Sequence, residues 1–393
     1  MEKKLIYRNN LNNQNFGVKP MLPKTDSSDY FGIKTALVHD WLTTIGGAEK
    51  TLEELWNCIP SPIYTLICDK TNLRDSFFAD KKINSSFLQH FPFGTRYYRN
   101  LLPLFPLAIE QFNLAEYDLI FSNSHAVAKG VMRLPHQRHI CYCHTPMRYA
   151  WDMYDAYLAP LKGLKKAAAR ASLYYMRKWD IASLNRVDTF LANSCYIQKR
   201  IKKVYGKDSI VLYPPVATEL FSPQARREEF YLTVSRLVPY KRVDLIVEAF
   251  SHLKQERLIV IGDGPEMKKI REKAGTNVEL LGQQSDAVIQ QYMGQAKAFI
   301  FAAEEDFGIS PVEAQSAGTP VIAFGKGGVC ETVVDQKTGL FFHEQTLSSL
   351  IDAICRFEKC ADRFDPHVIQ THAAQFGKER FHKELKQIIR HLT

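Results

Sequence analysis

The chain has 393 residues, more than one hydrophobic core usually holds, and this length predicts two domains. Its 46% hydrophobic and 24% charged residues are typical of a soluble globular protein, and no run of about 18 apolar residues is present to cross a bilayer. The net charge of +9 suits a phosphorylated substrate, an anionic membrane surface or nucleic acid. Because the sequence carries no signature of an RNA- or DNA-binding module, nucleic acid is the least favoured of the three.

The N-terminal segment and the cysteines bear on the compartment in which the protein works. Residues 1–32 are rich in Asn, Lys, Asp and Ser and show little periodicity, which predicts a flexible extension. The segment has no apolar signal core, so we expect the protein to stay in the cytoplasm. The eight cysteines are scattered without a Cys-x-x-Cys pair, which favours reduced thiols over a zinc site.

Short apolar runs alternate with helical patterns along the first half of the chain. The predicted strands are residues 35–39, 62–68, 118–122, 138–143 and 188–192. A helix is predicted over residues 48–58, after a loop that contains Gly46 and Gly47, and a long helical region over residues 156–185. Strands that alternate with helices indicate a parallel sheet covered on both faces.

A second alternation follows the strand at residues 209–216, which runs into Pro214 and Pro215. This stiff proline pair predicts an interdomain hinge. The strands predicted beyond it are residues 230–234, 257–261, 278–281, 298–302, 320–323 and 339–342. Each half of the chain therefore predicts a doubly wound α/β sheet.

The connection that follows the apolar run at residues 298–303 has the features of a ligand site. It reads Glu-Asp-Phe-Gly-Ile-Ser-Pro-Val-Glu-Ala over residues 305–314. Ser310 is a favourable N-cap, with Pro311 at the first helical position and Glu313 three residues after the cap. The free N–H groups of such a helix suit a phosphate, and Glu305 follows the carboxyl end of a strand, where ligands bind in open sheets. A capping box and a solvated loop acid are the alternative interpretation.

Glu305 and Glu313, with seven residues between them, resemble the paired-glutamate motif of the retaining glycosyltransferases of family 4. Residues 317–323, 327–331 and 339–342 also resemble that family, and the likeness covers nearly the whole chain from about residue 36. It implies the GT-B architecture, in which two Rossmann-like α/β domains face a cleft. The implied divisions are an acceptor-binding domain over residues 33–213, a nucleotide-sugar-binding domain over residues 214–375, and a C-terminal helix over residues 376–393 that crosses back to the first domain.

The same resemblance implies how the donor is bound. Arg236 and Lys241 match the family's diphosphate clamp, and two cations beside a helix N-terminus can neutralise a leaving diphosphate without a metal or other cofactor. An ordinary solvated basic loop is the alternative for this pair. Glu305 is expected to face the transferred sugar, and Glu313 to accept hydrogen bonds from the ribose. The other expected donor contacts are the backbone and glycine turns at Phe307, Gly308, Ile309, Gly46, Gly47, Gly262, Gly264 and Gly282.

The acceptor is expected on the side of the first domain. His144 matches the family's histidine near the sugar and the acceptor, although a lone histidine at a strand end is more often structural. The expected catalytic set is Glu305, His144, Lys241 and Arg236. Arg148 and Trp151 follow His144 closely and are expected to line the acceptor pocket. Residues 96–106 and 162–179 mix cations with aromatic and aliphatic side chains, which suits a lipid-linked acceptor or an anionic membrane; a core helix with a solvated basic face is the alternative.

Residues 36–41 and 143–149 look most like the bacterial mannosyltransferases of surface polysaccharide synthesis, the class that includes lipopolysaccharide enzymes. The resemblance implies a metal-independent, retaining hexosyltransferase that moves mannose from GDP-mannose to a lipid-linked or polysaccharide acceptor at the inner face of the cytoplasmic membrane. One alternative is the same fold with a UDP-sugar donor. Another is a catalytically silent nucleotide-sugar-binding protein, and the intact set Arg236, Lys241, Glu305 and Glu313 argues against it.

Overall fold

Parallel strands form two separate sheets in this protein. The computed structural model describes residues 32–91, 94–224 and 227–392, so most of the predicted extension over residues 1–32 lies outside the described residues. Within these ranges every pairing between named strands is parallel. Parallel neighbours need crossover connections, and helices supply them on both faces of each sheet, which gives an α/β fold.

The first sheet has seven strands in the order β3-β2-β1-β4-β5-β6-β7. They are β1 (Thr35–His39), β2 (Ile63–Thr65), β3 (Ile83–Ser85), β4 (Leu119–Ser124), β5 (Arg138–Cys143), β6 (Thr189–Ala192) and β7 (Ser209–Val211). Its helices are α1 (Gly47–Cys58), α2 (Gly94–Tyr97), α3 (Phe105–Glu110), α4 (Tyr154–Leu158), α5 (Gly163–Ala182) and α6 (Cys195–Tyr205). Leu119 and Phe121 of β4 pack in one core with α1, whereas Ile120 packs on the opposite face with α3 and α5.

The second sheet has six strands in the order β10-β9-β8-β11-β12-β13. They are β8 (Tyr231–Val234), β9 (Leu258–Ile261), β10 (Val278–Gly282), β11 (Ala298–Phe301), β12 (Val321–Phe324) and β13 (Gly339–Phe342). Its helices are α7 (Val243–His252), α8 (Met267–Lys273), α9 (Asp286–Gln295), α10 (Ile309–Ser316), α11 (Val329–Thr332), α12 (Leu347–Glu358) and α13 (Pro366–Ala374). Ile300 and Phe299 of β11 pack in separate cores on the two faces of this sheet.

The last helix, α14 (Lys378–Leu392), packs against the first sheet although it follows the second in the chain. Phe381, Leu385 and Ile389 are buried in the same core as Leu52 and Leu55 of α1. The chain therefore crosses between the two halves twice, once near the predicted proline hinge and once just before α14.

These two crossings lie side by side. The Val216 N–H donates to the Phe376 carbonyl at 3.0 Å. The guanidinium of Arg380 donates to the Tyr213 carbonyl at 2.9 Å and to the Pro214 carbonyl at 3.3 Å. One basic side chain of α14 thus ties the two connecting segments together.

Each sheet reverses its strand order at one point, and these points position the site. In the first sheet β1 lies between β2 and β4, and in the second β8 lies between β9 and β11. Successive connections leave opposite sides of the sheet at such a place, so a crevice opens at the carboxyl ends of the two strands. The loops after β1, β4, β8 and β11 therefore carry side chains to these crevices.

The sequence predicted most strands well but missed some boundaries. The strands predicted at residues 35–39, 138–143 and 339–342 are confirmed. The strand predicted at residues 62–68 is shorter, with only the bridge between Leu42 and Cys68 beyond β2. Strand β3 was not predicted, because an edge strand of Ile-Asn-Ser that is partly exposed lacks an apolar run.

The long helical region predicted over residues 156–185 contains two helices rather than one. It divides into α4 and α5, separated by residues 159–162. Pro160 disfavours helical continuation, and Gly163 starts α5 with a left-handed φ of +53°. No helix among the described residues is both long and apolar enough to cross a membrane.

Candidate active site between the two sheets

A cleft of about 1130 Å³ lies between the loops that leave the two sheets. The residues singled out from the sequence that line it are Gly46, Gly47, His144, Arg148, Arg236, Lys241, Glu305, Phe307, Gly308, Ile309 and Glu313. They come from both halves of the chain. Packing alone brings them together, since the first and last of them are separated by more than half of the sequence.

The connection between β11 and α10 differs in one detail from the prediction. The N-cap of α10 is Gly308, with φ +90° and ψ +78°, so the prediction of Ser310 as N-cap and Pro311 as first helical residue is wrong. Glycine reaches this left-handed conformation without a Cβ penalty. Pro311 is the third helical residue, where its missing N–H costs no intrahelical bond. Glu313 consequently lies inside the helix rather than in a capping box, and it lines the cleft.

Two glycines in the loop after β12 fix the position of Glu305. The Gly328 N–H donates to the Glu305 carbonyl at 2.8 Å. A Cβ on Gly327 would lie 2.4 Å from that carbonyl oxygen, and a Cβ on Gly328 would lie 2.3 Å from the carbonyl oxygen of Asp306. Any side chain at these positions would push the Glu305 segment away. The Gly-Gly pair in the loop after β12 therefore positions Glu305 in the loop after the preceding strand, β11.

Lys241 and Glu305 form an ion pair in the cleft, with both side chains mostly buried. Burial lowers the pKa of Lys241 to about 8 and the Arg148 cation acts in the same direction, whereas Asp306 raises it. Contact with the Glu305 carboxylate favours the ammonium form. Arg236 lies exposed on the same loop and also lines the cleft. An anion that entered here would meet two cations.

The turns at Gly262, Gly264 and Gly282 do not line this cleft. A Cβ on Gly262 would lie 1.8 Å from the Ser235 carbonyl oxygen, and one on Gly264 would lie 2.3 Å from the Leu237 carbonyl oxygen. Gly262 and Gly264 allow close approach, but their partner in the structure is the loop that carries Arg236. They support the position of that basic loop. The predicted contacts of all three glycines with a donor stay a prediction.

The glycine loop and Glu313 approach each other across the cleft. A Cβ on Gly47 would lie 2.8 Å from Ile309 Cδ1, so the two loops pack closely. Lys50 Nζ lies 3.8 Å from Glu313 Oε1. Burial raises the pKa of Glu313 above its usual value, against the opposing effect of Lys50. A mostly buried carboxyl group with an amine beside it can accept hydrogen bonds from ligand hydroxyls.

His144 is placed in the cleft at the end of β5. Its Nε2 lies 2.6 Å from Asn123 Oδ1, on the neighbouring strand β4. Burial lowers the pKa of His144 well below its usual value, and the nearby His125 and His39 lower it further. The imidazole is therefore neutral near pH 7.

Sequence reasoning missed a group of buried polar residues behind the glycine loop. Asp40 is fully buried, and its carboxylate accepts four backbone N–H bonds of 2.6 to 2.9 Å from residues 125–128. The His125 ring, which lines the cleft, lies 3.2 Å from the same carboxylate. The available signal was the pair His39-Asp40 at the end of a buried strand, because a buried carboxylate there needs hydrogen-bond partners.

Arg148 and Trp151, predicted together for the acceptor, have different surroundings. Arg148 lines the cleft and its Nη2 lies 2.5 Å from Asp306 Oδ1, which links the first half of the chain to the loop of Glu305. Trp151 lies outside the lining of the cleft. Its indole N–H donates to the buried Asp180 at 2.8 Å, so it supports the core beneath α5.

One arm of the cleft, which we call the apolar arm, is lined mostly by aromatic and aliphatic side chains of the first domain. These are Trp41, Tyr98, Leu102, Phe105, Tyr149, Tyr157, Leu158, Leu161 and Leu173. Arg99 and Asn100 add polar groups at the same arm. Such a surface suits a ligand with a large apolar part beside a polar or anionic group.

Polar contacts join the two halves around the cleft. The Glu331 carboxylate accepts the N–H groups of Cys195 and Tyr196 at 2.7 and 2.8 Å, at the N-terminus of α6. The Tyr213 hydroxyl donates to the same carboxylate at 3.1 Å. A carboxylate at this end of a helix is stabilised by the free N–H groups and the dipole. Residues 32–91, 94–224 and 227–392 contain no cluster of three or more His, Cys, Asp or Glu side chains suited to a metal.

Two family models match the chain. The one described as Glycosyltransferase Family 4 matches residues 45–220, and the one described as Glycosyl transferases group 1 matches residues 218–374. The chain is also similar to the GDP-mannose-dependent alpha-(1-6)-phosphatidylinositol monomannoside mannosyltransferase of Mycobacterium tuberculosis, with 28% identity over 201 residues, which are 43% of this chain and 52% of that protein. It spans about half the length of the first curated relatives it matches.

Longer matches exist at lower identity. The alpha-1,3/1,6-mannosyltransferase alg2 of Schizosaccharomyces pombe is 24% identical over 367 residues, which cover 78% of this chain and 70% of that protein. Among solved structures, the Anabaena protein HepE in complex with UDP-glucose superposes with a TM-score of 0.66 at 19% identity, covering 91% of this chain and 100% of that one. The structural likeness extends over both sheets, so the fold is that of GT-B glycosyltransferases.

The glycines beneath Glu305 provide a first test. Gly328→Ala should lower the free energy of unfolding by about 3 kcal/mol, because its Cβ meets backbone that cannot yield. It should also weaken nucleotide-sugar binding through displacement of the Glu305 loop. Gly275→Ala is the matched control, since its Cβ meets a side-chain oxygen at 2.9 Å in a turn that does not line the cleft. Urea unfolding and calorimetric titration measure both effects. If the two variants bound nucleotide sugars equally well, the glycines would not position the site.

Proposed function

The chain belongs to family 4 of the glycosyltransferases, and we propose that it transfers a hexose from a nucleotide sugar to an acceptor hydroxyl with retention of the anomeric configuration. The observation that carries this proposal is the meeting of Lys241, Arg236, Glu305 and Glu313 in one cleft between the two sheets. Retention is supported by the spacing of Glu305 and Glu313, which is that of the retaining enzymes of the family.

The leaving diphosphate is neutralised by side chains in this proposal, without a metal. Lys241 leaves its ion pair with Glu305 and, with Arg236, binds the phosphate oxygens. The start of α10 at Gly308 adds backbone N–H groups and the positive end of the helix dipole. These groups are in place before the reaction, so they stabilise the charge as it develops on the leaving group.

Glu305 acts on the sugar. A glycosyl transition state has oxocarbenium character, and a carboxylate nearby stabilises its positive charge and holds sugar hydroxyls. When Lys241 binds the diphosphate, the Glu305 carboxylate is released to face the sugar. The ion pair thus holds the ammonium and the carboxylate next to each other in the cleft.

GDP-mannose is the proposed donor, supported by the mannosyltransferases among the relatives, several of them GDP-mannose-dependent by name. A UDP-sugar is the second candidate, favoured by the Anabaena structure, which holds UDP-glucose. A catalytically silent binding protein is the third, and it would bind a donor without cleaving it.

A panel of nucleotide sugars separates these candidates. We expect GDP-mannose to raise the melting temperature more than UDP-glucose does, and to be hydrolysed slowly without an acceptor. Glu305→Gln serves as control, because it should bind the donor but lose most of the hydrolysis. A larger thermal shift with UDP-glucose would assign the donor to the second candidate. Binding of either donor with no hydrolysis or transfer would favour the silent protein.

The acceptor is proposed to be lipid-linked and presented at the inner face of the cytoplasmic membrane, in synthesis of a surface glycan. Helix α5 supports this, because one side of it contributes Leu173 to the apolar arm while other residues point outward. Leu164 is 90% exposed and Tyr174 is 61% exposed, between cations. The exposed or partly exposed cations of this segment are Lys162, Lys165, Lys166, Arg170, Arg177 and Lys178. Apolar and basic groups exposed together suit the headgroup layer of an anionic membrane.

Vesicle binding tests the membrane proposal. Changing Lys165, Lys166 and Arg170 to Gln should weaken binding to phosphatidylglycerol vesicles by about 1 kcal/mol for each cation, about a hundredfold together. The loss should shrink at high salt, because salt screens exposed charges. Matched controls are Lys254, Lys268 and Arg271, three exposed cations of the second half, changed in the same way. Equal loss for both triple variants would mean that net charge alone, and not α5, directs binding.

The catalytic assignments make a separate prediction. Lys241→Ala should lower turnover about a hundredfold through lost stabilisation of the leaving group, and transfer by the unchanged protein should persist in EDTA. Glu305→Gln should lower turnover more than donor affinity, because its charge matters most in the transition state. Lys268→Ala and Glu279→Gln, exposed on the same half, control for the loss of a charge. Activity that EDTA abolishes and Mg²⁺ restores, or a fully active Glu305→Gln protein, would contradict these roles.

A further inference from the structure

A chain of polar groups runs behind the glycine loop and ends at His144. The Gly46 N–H donates to Glu49 Oε2 at 2.9 Å, and Glu49 Oε1 lies 3.4 Å from His39 Nε2. His39 Nδ1 in turn lies 3.0 Å from the Asn123 carbonyl oxygen. His39 is fully buried and Glu49 is nearly so, hence each needs the other as a partner. Lys241 and Glu305 make none of these hydrogen bonds.

The orientation of the Asn123 amide is set by its neighbours. Its Nδ2 donates to the Ala48 carbonyl, in the first turn of α1, at 2.8 Å. An amide that donates there must turn its oxygen the other way, and Asn123 Oδ1 lies 2.6 Å from His144 Nε2. An amide oxygen only accepts hydrogen bonds, so Nε2 of His144 must carry the proton.

His144 has only this one ring proton, because it is neutral. Burial lowers its pKa well below the usual value, and His125 and His39 add to the effect. With the proton on Nε2, Nδ1 keeps a free lone pair. Nδ1 has no hydrogen-bond partner within the described ranges 32–91, 94–224 and 227–392, and His144 lines the cleft.

We propose that Asn123 is a positioning residue that holds His144 as the Nε2–H tautomer, so that Nδ1 accepts a hydrogen bond from a substrate hydroxyl. The Glu49–His39 pair holds the opposite side of Asn123 and, through the Gly46 N–H, the glycine loop. The proposal rests on the proposed function for the identity of the hydroxyl, which belongs to the transferred sugar or to the acceptor. The tautomer itself is independent of that function.

The tautomer can be read directly from protein labelled with ¹⁵N in its 12 histidines. Two-bond ¹H–¹⁵N correlation spectra identify which ring nitrogen is protonated, and His144→Gln assigns the signals of His144. We expect Nε2–H in the unchanged protein at pH 7, with a downfield, slowly exchanging proton in the 2.6 Å hydrogen bond to Asn123. Asn123→Ala should lose that resonance and lower kcat about a hundredfold, with little change in donor KM.

Ser122→Ala is the matched control, one residue away on β4. Ser122 Oγ lies 2.8 Å from Nε2 of another buried histidine, His139, on the opposite face of the strand. The control therefore loses a similar buried hydrogen bond outside the cleft. Stability should fall as for Asn123→Ala, while the His144 signals and kcat stay unchanged.

Asn123→Asp is a second variant, which tests the role of the His144 Nδ1 lone pair if Asn123→Ala folds poorly. Its carboxylate still accepts from Nε2, but it raises the pKa of His144, so Nδ1 gains a proton at neutral pH. Turnover should then be low at pH 7 and rise as the pH passes the new pKa, a rise that the unchanged protein lacks. The rings of Tyr142 and His125 lie 5.0 and 6.4 Å from the His144 ring, and His39 also acts on its pKa. The other charged groups nearby are Glu49, Arg148, Lys241 and Glu305, which line the same cleft, and Asp40, which contacts His125.

An Nδ1–H or doubly protonated His144 in the unchanged protein at pH 7 would overturn the proposal. So would full turnover of Asn123→Ala, or a pH profile of Asn123→Asp that matches the unchanged protein. If the protein transferred no sugar at all, the spectra would still decide the tautomer. Failure of the proposed function is therefore distinguishable from failure of this inference.

Discussion

The pairing of β8 with β11 is the constraint on which the site depends. These strands are neighbours in the second sheet although two strands and three helices separate them in the chain. Their carboxyl ends lie together, so the loop of Arg236 and Lys241 faces the loop of Glu305. Parallel pairing is also what requires the following helix α10, whose N-terminus supplies further N–H groups. The basic clamp, the acid and the helix start are consequences of one register.

The two halves of the protein are joined by contacts of different kinds. Helix α14 buries Phe381, Leu385 and Ile389 in the first core, which fixes that crossing by apolar packing. Around the cleft the contacts are polar, such as Glu331 with the start of α6 and Arg148 with Asp306. Polar contacts exchange with water at small net cost, so this side of the interface can open more easily than the side held by α14.

The cleft contains both an ion pair and a neutral imidazole, and burial influences each of them. Lys241 and Glu305 are both mostly buried, and their contact lets each charge compensate the other. Burial and the neighbouring His125 and His39 hold the pKa of His144 well below its usual value, so its imidazole stays neutral. The fully buried Asp40 carboxylate accepts four backbone N–H bonds, which satisfy its oxygens without solvent. The site therefore offers charge to a diphosphate and a neutral acceptor to a hydroxyl.

The sequence by itself determined the two α/β halves and most strands. It also singled out Glu305, Glu313, Arg236, Lys241 and the glycine loop, which the structure brings to one cleft. Hydrophobic period and turn residues are local signals, and the paired-glutamate spacing is readable within ten residues. The cap at Gly308, the break between α4 and α5 and the division of roles between Arg148 and Trp151 were decided by tertiary structure. So was the contact of Asn123 with His144, on neighbouring strands 21 residues apart in the chain. Periodicity does not specify which distant polar groups meet; that depends on strand order and on the need of buried polar atoms for partners.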